Sequence, residues 1–322
     1  MSKHKLLLAF PNVNRKDIFQ TYTGTIAKNI YDFVKDHEAF DVTLDTVILS
    51  TTNKRTDEFP IEDLKKYAEN DIILFAGLKF LDRGYKVVEL AAKLKQLNPK
   101  ILLCQLSDQA VPHNSVADLT FCTKLKNGAS PKNIGMGWTA NAELFKSTKT
   151  NDKTLRVFVD HSSYVDSYYS HDKTQYITNE LKNLDYTKYG YENIEFFRIG
   201  NSEMITDFDI PVIKHDRQGV KHDEYVETMN KSDIFFVTHP ESVGLSALEA
   251  AMSGALVVLP QGYMEYELLN SINFVEFGRK INWDLIFSKI DQNKSREMAE
   301  KFNYTEYITK MVNIILGRAK SS

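Results

Sequence analysis

Short apolar runs alternate with longer segments in which apolar positions recur at helical spacing, and this holds along most of the chain. The first pattern is typical of buried parallel strands, and the second is typical of amphipathic helices. Strands are predicted at 5–10, 42–49, 71–75, 101–105, 117–122, 155–160, 194–199, 211–214, 234–238, 255–259 and 273–277. Helices are predicted at 25–34, 61–67, 85–97, 173–184, 222–229, 245–252, 283–290 and 304–316. The alternation predicts an α/β protein built on parallel sheets.

Residues 231–260 form the most informative segment, which is predicted to be a strand, a loop, a helix and a second strand. His239 and Pro240 end the first strand, because proline cannot continue a ladder of hydrogen bonds. Gly254 ends the helix. The loop at 241–244 therefore lies at the carboxyl end of a strand and the amino end of a helix, where unpaired N–H groups and the helix dipole attract a phosphate.

Two glutamates mark this segment. Glu241 lies in the loop, and Glu249 lies inside the helix between Leu248 and Ala250. A carboxylate buried there needs a partner, which a pair of sugar or ribose hydroxyls would supply. The alternative interpretation is an exposed loop glutamate and an ordinary glutamate on a helix surface.

The sequence of residues 241–258, ESVGLSALEAAMSGALVV, resembles the E-x7-E signature of retaining GT-B glycosyltransferases, most closely family 4. The resemblance implies two Rossmann-like domains whose parallel sheets face a central cleft. Residues 1–150 would form the acceptor domain and residues 151–322 the nucleotide-sugar domain, with the terminal helix bracing the first domain. A polar linker at 146–154 would join them.

The resemblance also implies roles for the residues of the signature. Glu249 would hold the ribose hydroxyl pair, and Glu241 would contact the transferred sugar near the reacting carbon. Backbone N–H groups at the helix start would stabilise the leaving diphosphate as charge develops. By this resemblance the donor-binding residues there would be Ser242, Val243, Gly244 and Leu245. Family members retain the anomeric configuration without a covalent enzyme intermediate.

Two further places resemble the family's sites. Thr23 and Gly24, just before the helix at 25–34, resemble a glycine-containing loop that approaches the donor phosphate or the acceptor, although a glycine at a turn needs no ligand. Asp108 and His113 follow a strand whose end would face the cleft. Asp108 is the more natural general base, whereas His113 is equally well explained as a loop residue.

One stretch departs from the family pattern. Members place an arginine and then a lysine–glycine pair after the first strand of the second domain, where they grip the donor diphosphate. Residues 160–166 read DHSSYVD and contain neither. Lys173, Lys214, Arg217 and Lys221 are candidates to replace them, and Arg217 is included in the predicted donor site.

Composition is that of a soluble enzyme, with 43% hydrophobic and 26% charged residues. Two cysteines, Cys104 and Cys122, indicate no disulfide framework and favour a reducing cytoplasm. No signal peptide or membrane span is predicted. The first 140 residues carry 19 basic and 16 acidic side chains, and the remainder carry 21 and 27. This small basic excess would suit an anionic acceptor, such as DNA or a lipid headgroup. With a lipid acceptor, the protein would lie peripherally at the inner membrane face. An ordinary solvated surface explains the excess equally well.

No Cys-x-x-Cys pair, His-Glu-x-x-His motif or phosphate-binding P-loop occurs in the sequence. Asp207 and Asp209 form an Asp-x-Asp pair, but turn chemistry explains them adequately. No catalytic metal and no cofactor are predicted.

The resulting hypothesis is a hexosyl- or pentosyltransferase that uses a UDP- or GDP-sugar and acts on a glycan, a lipid-linked sugar or a modified DNA base. Three alternatives stay open. They are a phage-type enzyme that glycosylates DNA bases, a nucleotide-sugar epimerase on the same fold, and a non-catalytic nucleotide-sugar-binding partner of an active enzyme.

Overall fold

The chain folds into two compact units in a computed structural model, one of Met1–Gly137 with Thr305–Ser322 and the other of Trp138–Tyr304. The division falls before the predicted linker, so that residues 146–154 lie inside the second unit. The residues that the structure describes are 3–11, 22–47, 61–76, 85–107, 117–122, 132–137, 139–150, 152–159, 168–201, 212–215, 222–238, 240, 244–264 and 269–320.

The first unit contains a six-stranded, fully parallel sheet in the order β2-β1-β3-β4-β5-β6. The strands are β1 His4–Pro11, β2 Phe40–Val47, β3 Ile72–Phe75, β4 Leu102–Ser107, β5 Leu119–Cys122 and β6 Asn133–Gly135. The helices that alternate with them are α1 Tyr22–Val34, α2 Ile61–Ala68 and α3 Tyr85–Leu97. Every residue of β3 and β5 is buried, as expected where both faces of a parallel sheet are covered.

The second unit contains another six-stranded parallel sheet, in the order β12-β11-β10-β7-β8-β9. Its strands are β7 Thr154–Val159, β8 Asn193–Asn201, β9 Val212–His215, β10 Ile234–Phe236, β11 Leu256–Pro260 and β12 Phe274–Phe277. The helices of this half of the chain are α4 Tyr168–Lys182, α5 His222–Lys231, α6 Leu245–Met252, α7 Trp283–Lys289, α8 Gln292–Glu300 and α9 Tyr304–Ala319. Beyond its first residue, α9 belongs to the first unit.

In the second sheet, the side on which the chain adds successive strands reverses once. From β7 the chain adds β8 and β9 on one side and then returns to add β10, β11 and β12 on the other. β7 and β10 are therefore neighbours, with Val157 beside Ile234 and Val159 beside Phe236. Connections leave such a pair toward opposite sides, which opens a crevice at the carboxyl ends where open α/β sheets bind ligands. We call this place the switch point.

Most predicted elements are found within a few residues of their expected limits. β10 ends at Phe236, before the predicted end at residue 238. Helix α8 was not predicted. Of its residues only Ser295 and Ala299 are buried, so its sequence carries little apolar periodicity. Asp291 caps it by accepting a hydrogen bond from the N–H of Lys294 at 3.0 Å, which satisfies a donor that the helix itself leaves unpaired.

Both cysteines are buried and neither forms a disulfide. Burial, helped by the negative charge of Asp118, raises the pKa of the Cys104 thiol well above its usual value. A thiol of this kind is unreactive, because the thiolate is the nucleophile. None of the helices within the described ranges is long and apolar enough to cross a bilayer.

Candidate functional site

Helix α6 begins immediately after Gly244, which adopts the left-handed conformation with φ 62° and ψ 56°. A Cβ at this position would lie 2.7 Å from Cε of Met264. Glycine is therefore favoured here by the backbone, since other residues rarely adopt this conformation, whereas the end of the flexible Met264 side chain could move aside for a Cβ. Leu245 is the first helical residue, as predicted.

Glu249 lies in the middle of α6 and is partly exposed, whereas Leu248 and Ala250 on either side are buried. Its Oε2 accepts a hydrogen bond from the hydroxyl of Tyr225, in α5, at 2.5 Å. The sequence led us to expect that a ligand would supply the partner of this carboxylate. The structure shows that the protein itself supplies one.

The ring of Tyr225 is packed edge-on against two buried phenylalanines. The ring centroid of Phe145 lies 6.2 Å away at an interplanar angle of 80°, and that of Phe158 lies 6.1 Å away at 62°. Phe158, in β7, is in turn edge-on to Phe235 of β10 at 5.5 Å. Packed aromatic rings thus connect the carboxylate of Glu249 to the two strands that flank the switch point.

The carboxyl end of α6 is also set by a glycine. Gly254 has φ 86°, its N–H donates to the carbonyl of Ala251, and the N–H of Ala255 donates to the carbonyl of Ala250, both at 2.9 Å. This pair of bonds is the Schellman motif, which satisfies carbonyls left unpaired at a helix end. A Cβ at Gly254 would lie 2.6 Å from Cγ of Gln292, so α8 approaches this turn closely.

Asn230, at the end of α5, is buried and bonds to two other segments. Its Oδ1 accepts hydrogen bonds from the N–H of Lys146 at 2.9 Å and from the hydroxyl of Ser253 at 2.8 Å. Its Nδ2 donates to the carbonyl of Leu144 at 3.0 Å. One side chain therefore joins α5, the end of α6 and the segment that leads into β7.

Arg296, in α8, also binds the segment that leads into β7. Its guanidinium donates to the backbone carbonyls of Ala142, Phe145 and Met252 at 3.1, 3.1 and 3.2 Å. Carbonyls are good acceptors for its fixed fork of N–H donors. Since Phe145 packs on Tyr225, the position of the Tyr225 ring depends on this attachment.

A nearly buried ion pair lies beside these groups. Nζ of Lys149 is 3.3 Å from Oδ1 of Asp233, and the two side chains are 12% and 14% exposed. Asp233 also accepts a hydrogen bond from the N–H of Arg156 at 2.8 Å. Burial lowers the pKa of Lys149, and the charge of Asp233 opposes that shift.

The structure places Leu245 and Glu249 in α6 and Gly244 immediately before it, as the sequence indicated. It corrects the position of Thr23 and Gly24, because α1 begins at Tyr22 and includes both in its first turn. The helical apolar pattern starts later than the helix does, which is why they were placed ahead of it. Of the diphosphate-grip candidates, Lys173 lies in α4 and Lys214 in β9. The other residues that the sequence singled out lie outside the described part of the chain: Asp108, His113, Asp207, Asp209, Arg217, Lys221, Glu241, Ser242 and Val243.

Among the residues of this site that were not predicted are Tyr225 and Asn230. Both lie in α5, which the sequence presents as an ordinary connecting helix. Their partners are distant along the chain, 24 residues for Glu249 and 84 for Lys146, so no short motif links them. Within the described ranges, no cluster of three or more acidic, histidine or cysteine side chains is arranged to hold a metal ion.

Neither a protein-family model nor a curated protein matches the chain by sequence. Solved structures do match. HepE of Anabaena, solved with UDP and glucose, is 12% identical with a TM-score of 0.63, and the match covers 98% of this chain and 100% of that one. The lipopolysaccharide outer core galactosyltransferase WaaB is 10% identical with a TM-score of 0.61, over 98% and 99%.

An alpha-glucosyltransferase solved with UDP and a 13-mer DNA is 13% identical, with a TM-score of 0.57 over 98% of this chain and 100% of that one. At such identities the likeness is one of fold. The two parallel sheets with their helices, together with these matches over nearly the whole chain, show that the protein has the two-domain α/β architecture called GT-B.

Proposed function

We propose that the protein is a glycosyltransferase that moves a sugar from a nucleoside-diphosphate sugar to an acceptor hydroxyl, with retention of configuration and without a catalytic metal. The proposal rests most directly on the position of the Glu249 carboxylate. It lies within α6, the helix that follows β10 at the switch point of the second sheet.

The position of α6 supports a phosphate site. Along the chain the helix follows β10, a strand beside the switch point, and the first N–H groups of an α-helix have no partner within the helix. In the proposed mechanism the N–H groups of Val243, Gly244 and Leu245 stabilise the leaving diphosphate, because backbone donors lower the energy of a transition state in which negative charge develops. The leaving phosphate then helps to deprotonate the acceptor.

The proposed roles of the two glutamates differ. Glu249 accepts hydrogen bonds from the ribose hydroxyl pair of the donor, since an ionised carboxylate is an acceptor with several lone pairs. Glu241 contacts the transferred sugar near the reacting carbon. The role of Glu249 concerns nucleotide binding, and that of Glu241 concerns turnover. Separate variants of the two glutamates therefore distinguish the roles.

The choice of donor to test first comes from the structural neighbours. HepE and the alpha-glucosyltransferase were both solved with UDP, which makes a UDP-sugar the first candidate and a GDP-sugar the second. The structure of the alpha-glucosyltransferase also contains DNA. A modified DNA base therefore belongs in the acceptor screen beside glycans and lipid-linked sugars.

The test is thermal unfolding and donor hydrolysis with UDP-, GDP-, ADP- and CMP-sugars, each with and without EDTA. We expect one nucleotide to raise the melting temperature, because a ligand that binds only the folded state stabilises it. We also expect slow hydrolysis of one sugar at the same rate with EDTA. Binding without any consumption of donor in the acceptor screen would instead identify a non-catalytic binding protein.

The variant Glu241→Gln sharpens this test. It should keep the nucleotide-dependent rise in melting temperature and lose turnover by on the order of 100-fold, as when one stabilising group of a transition state is removed. Unchanged turnover would remove Glu241 from the mechanism. A rate abolished by EDTA and restored by a divalent cation would overturn the metal-free part of the proposal.

A further inference from the structure

The contact between Tyr225 and Glu249 has the geometry of a strong hydrogen bond. The donor and acceptor oxygens are 2.5 Å apart, and both residues are partly buried. A hydroxyl that donates to a carboxylate forms a charge-assisted bond, which is shorter and about twice as strong as one between neutral groups. The carboxylate of Glu249 therefore has a donor within the protein itself, and in its ionised form it acts only as an acceptor.

The hydroxyl of Tyr225 is held in place from outside the helix that carries it. Phe145 and Phe158 pack edge-on against its ring. Both are buried, one in the segment ahead of β7 and the other in β7 itself. The ring is thereby fixed by two separate parts of the second unit, and the oxygen that it presents to Glu249 has a defined position.

A glutamate side chain has three rotatable bonds and loses conformational freedom when a ligand orders it. A partner that already holds one carboxylate oxygen removes part of that cost before the ligand arrives, which is the usual gain from preorganisation. The carboxylate has about four lone-pair sites, so a bond from Tyr225 leaves it able to accept from other donors as well.

We infer that Tyr225 is a positioning residue for Glu249, whose hydroxyl orients the carboxylate to accept the ribose hydroxyls of the donor nucleotide. This inference rests on the proposed function, and it adds to it a residue that contributes to nucleotide affinity through Glu249 and not by touching the reacting atoms.

The inference predicts a selective effect. Tyr225→Phe should weaken binding of a nucleoside diphosphate about tenfold, because the carboxylate loses its orientation. Binding of the 2′,3′-dideoxy counterpart should change less than about twofold, because that ligand lacks the hydroxyls that would donate hydrogen bonds to Glu249. A general loss of packing would weaken both ligands equally.

The experiment is calorimetric titration of the wild type and Tyr225→Phe with UDP, GDP and ADP, each paired with its 2′,3′-dideoxy form. Tyr189→Phe is the matched control. It also removes a hydroxyl that donates to a carboxylate, that of Asp284 at 2.7 Å, but at an exposed place on the 3₁₀ turn Tyr186–Tyr189. This control should bind every ligand as the wild type does.

A second variant keeps the test decisive if Tyr225→Phe alters stability. In a Glu249→Gln background, adding Tyr225→Phe should weaken UDP binding no further, since the two residues act as one unit. Equal losses for the normal and dideoxy nucleotides, or additive losses in the double variant, would overturn the inference and leave the proposed function standing. If the wild type binds none of the six ligands, the proposed function fails, and the inference fails with it.

Discussion

The hydroxyl of Ser253 donates a hydrogen bond to Oδ1 of Asn230 at 2.8 Å, and both side chains are buried. The bond fastens the carboxyl end of α6 to the end of α5. The same amide oxygen accepts the N–H of Lys146, so the segment before β7 is attached at the same point. The helix that carries Glu249 is thus fixed at one end by a polar contact and not by apolar packing alone.

Asn230→Ala should destabilise the protein by about 1 to 3 kcal/mol, because the buried hydroxyl of Ser253 loses its acceptor, and a part-buried N–H and a part-buried carbonyl lose their partner as well. Urea unfolding followed by circular dichroism measures the change. Asn183→Ala is the control, since that amide donates only to the exposed carbonyl of Asn179 and its loss should cost less than about 0.5 kcal/mol. Equal midpoints for the two variants would contradict the role of Asn230.

Gly254→Ala should be more destabilising than Gly190→Ala, although both glycines have φ 86°. The backbone cost of the left-handed conformation, about 1 to 2 kcal/mol, is common to both. Only at Gly254 does the new Cβ meet a neighbour, Cγ of Gln292 at 2.6 Å, whereas nothing lies within 4 Å at Gly190. The difference between the two free energies of unfolding, at least about 1 kcal/mol by this argument, measures the packing of α8 against the turn.

Lys149→Met should destabilise the protein by about 3 to 5 kcal/mol, because the carboxylate of Asp233 stays buried without its counter-charge. In the double variant with Asp233→Asn, the loss should be smaller than the sum of the two single losses. A double-mutant cycle in urea gives this coupling, and strict additivity would show that the pair does not interact. Lys153→Met, which breaks an exposed ion pair with Glu192, should leave the midpoint almost unchanged.

Glu249→Gln should raise the Kd for the bound nucleotide about tenfold or more, because it replaces a charged acceptor by a neutral amide of the same shape. Isothermal titration with UDP and GDP is the measurement. Glu297→Gln makes the same chemical change on the exposed face of α8 and should leave binding as it is. An unaltered Kd in Glu249→Gln would exclude the carboxylate from the nucleotide site.

The free energy of unfolding should fall at alkaline pH, in part because the hydroxyl of Tyr191 loses its proton more easily in the unfolded chain than in the folded protein. Burial, with a contribution from the charge of Asp233, raises the pKa of Tyr191 from 10.0 to about 12. Between these two pH values the folded state keeps a proton that the unfolded chain has lost, so the free energy of unfolding decreases as the pH rises. Urea unfolding at pH 9 and pH 11 should show a smaller decrease for Tyr191→Phe than for the wild type. Equal decreases would contradict the shift.

The sequence by itself determined the kind and approximate limits of the elements, because apolar periodicity depends on neighbours a few residues apart. Gly244 and Gly254 were predictable as the limits of α6 for the same reason, since the demand for a left-handed backbone is local. Helix α8 was not, because it buries only two small side chains and therefore has no apolar stripe for a sequence pattern to show.

Only the tertiary structure decided which strands are neighbours and which polar groups meet. The switch point between β7 and β10 follows from the order of the strands, and that order leaves no periodic trace in the chain. The sequence predicted that Glu249 lies inside α6, but it gave no indication that Tyr225 would contact it. A hydrogen bond between two helices depends on how the chain between them packs, and packing is decided by the whole core rather than by any local run of residues.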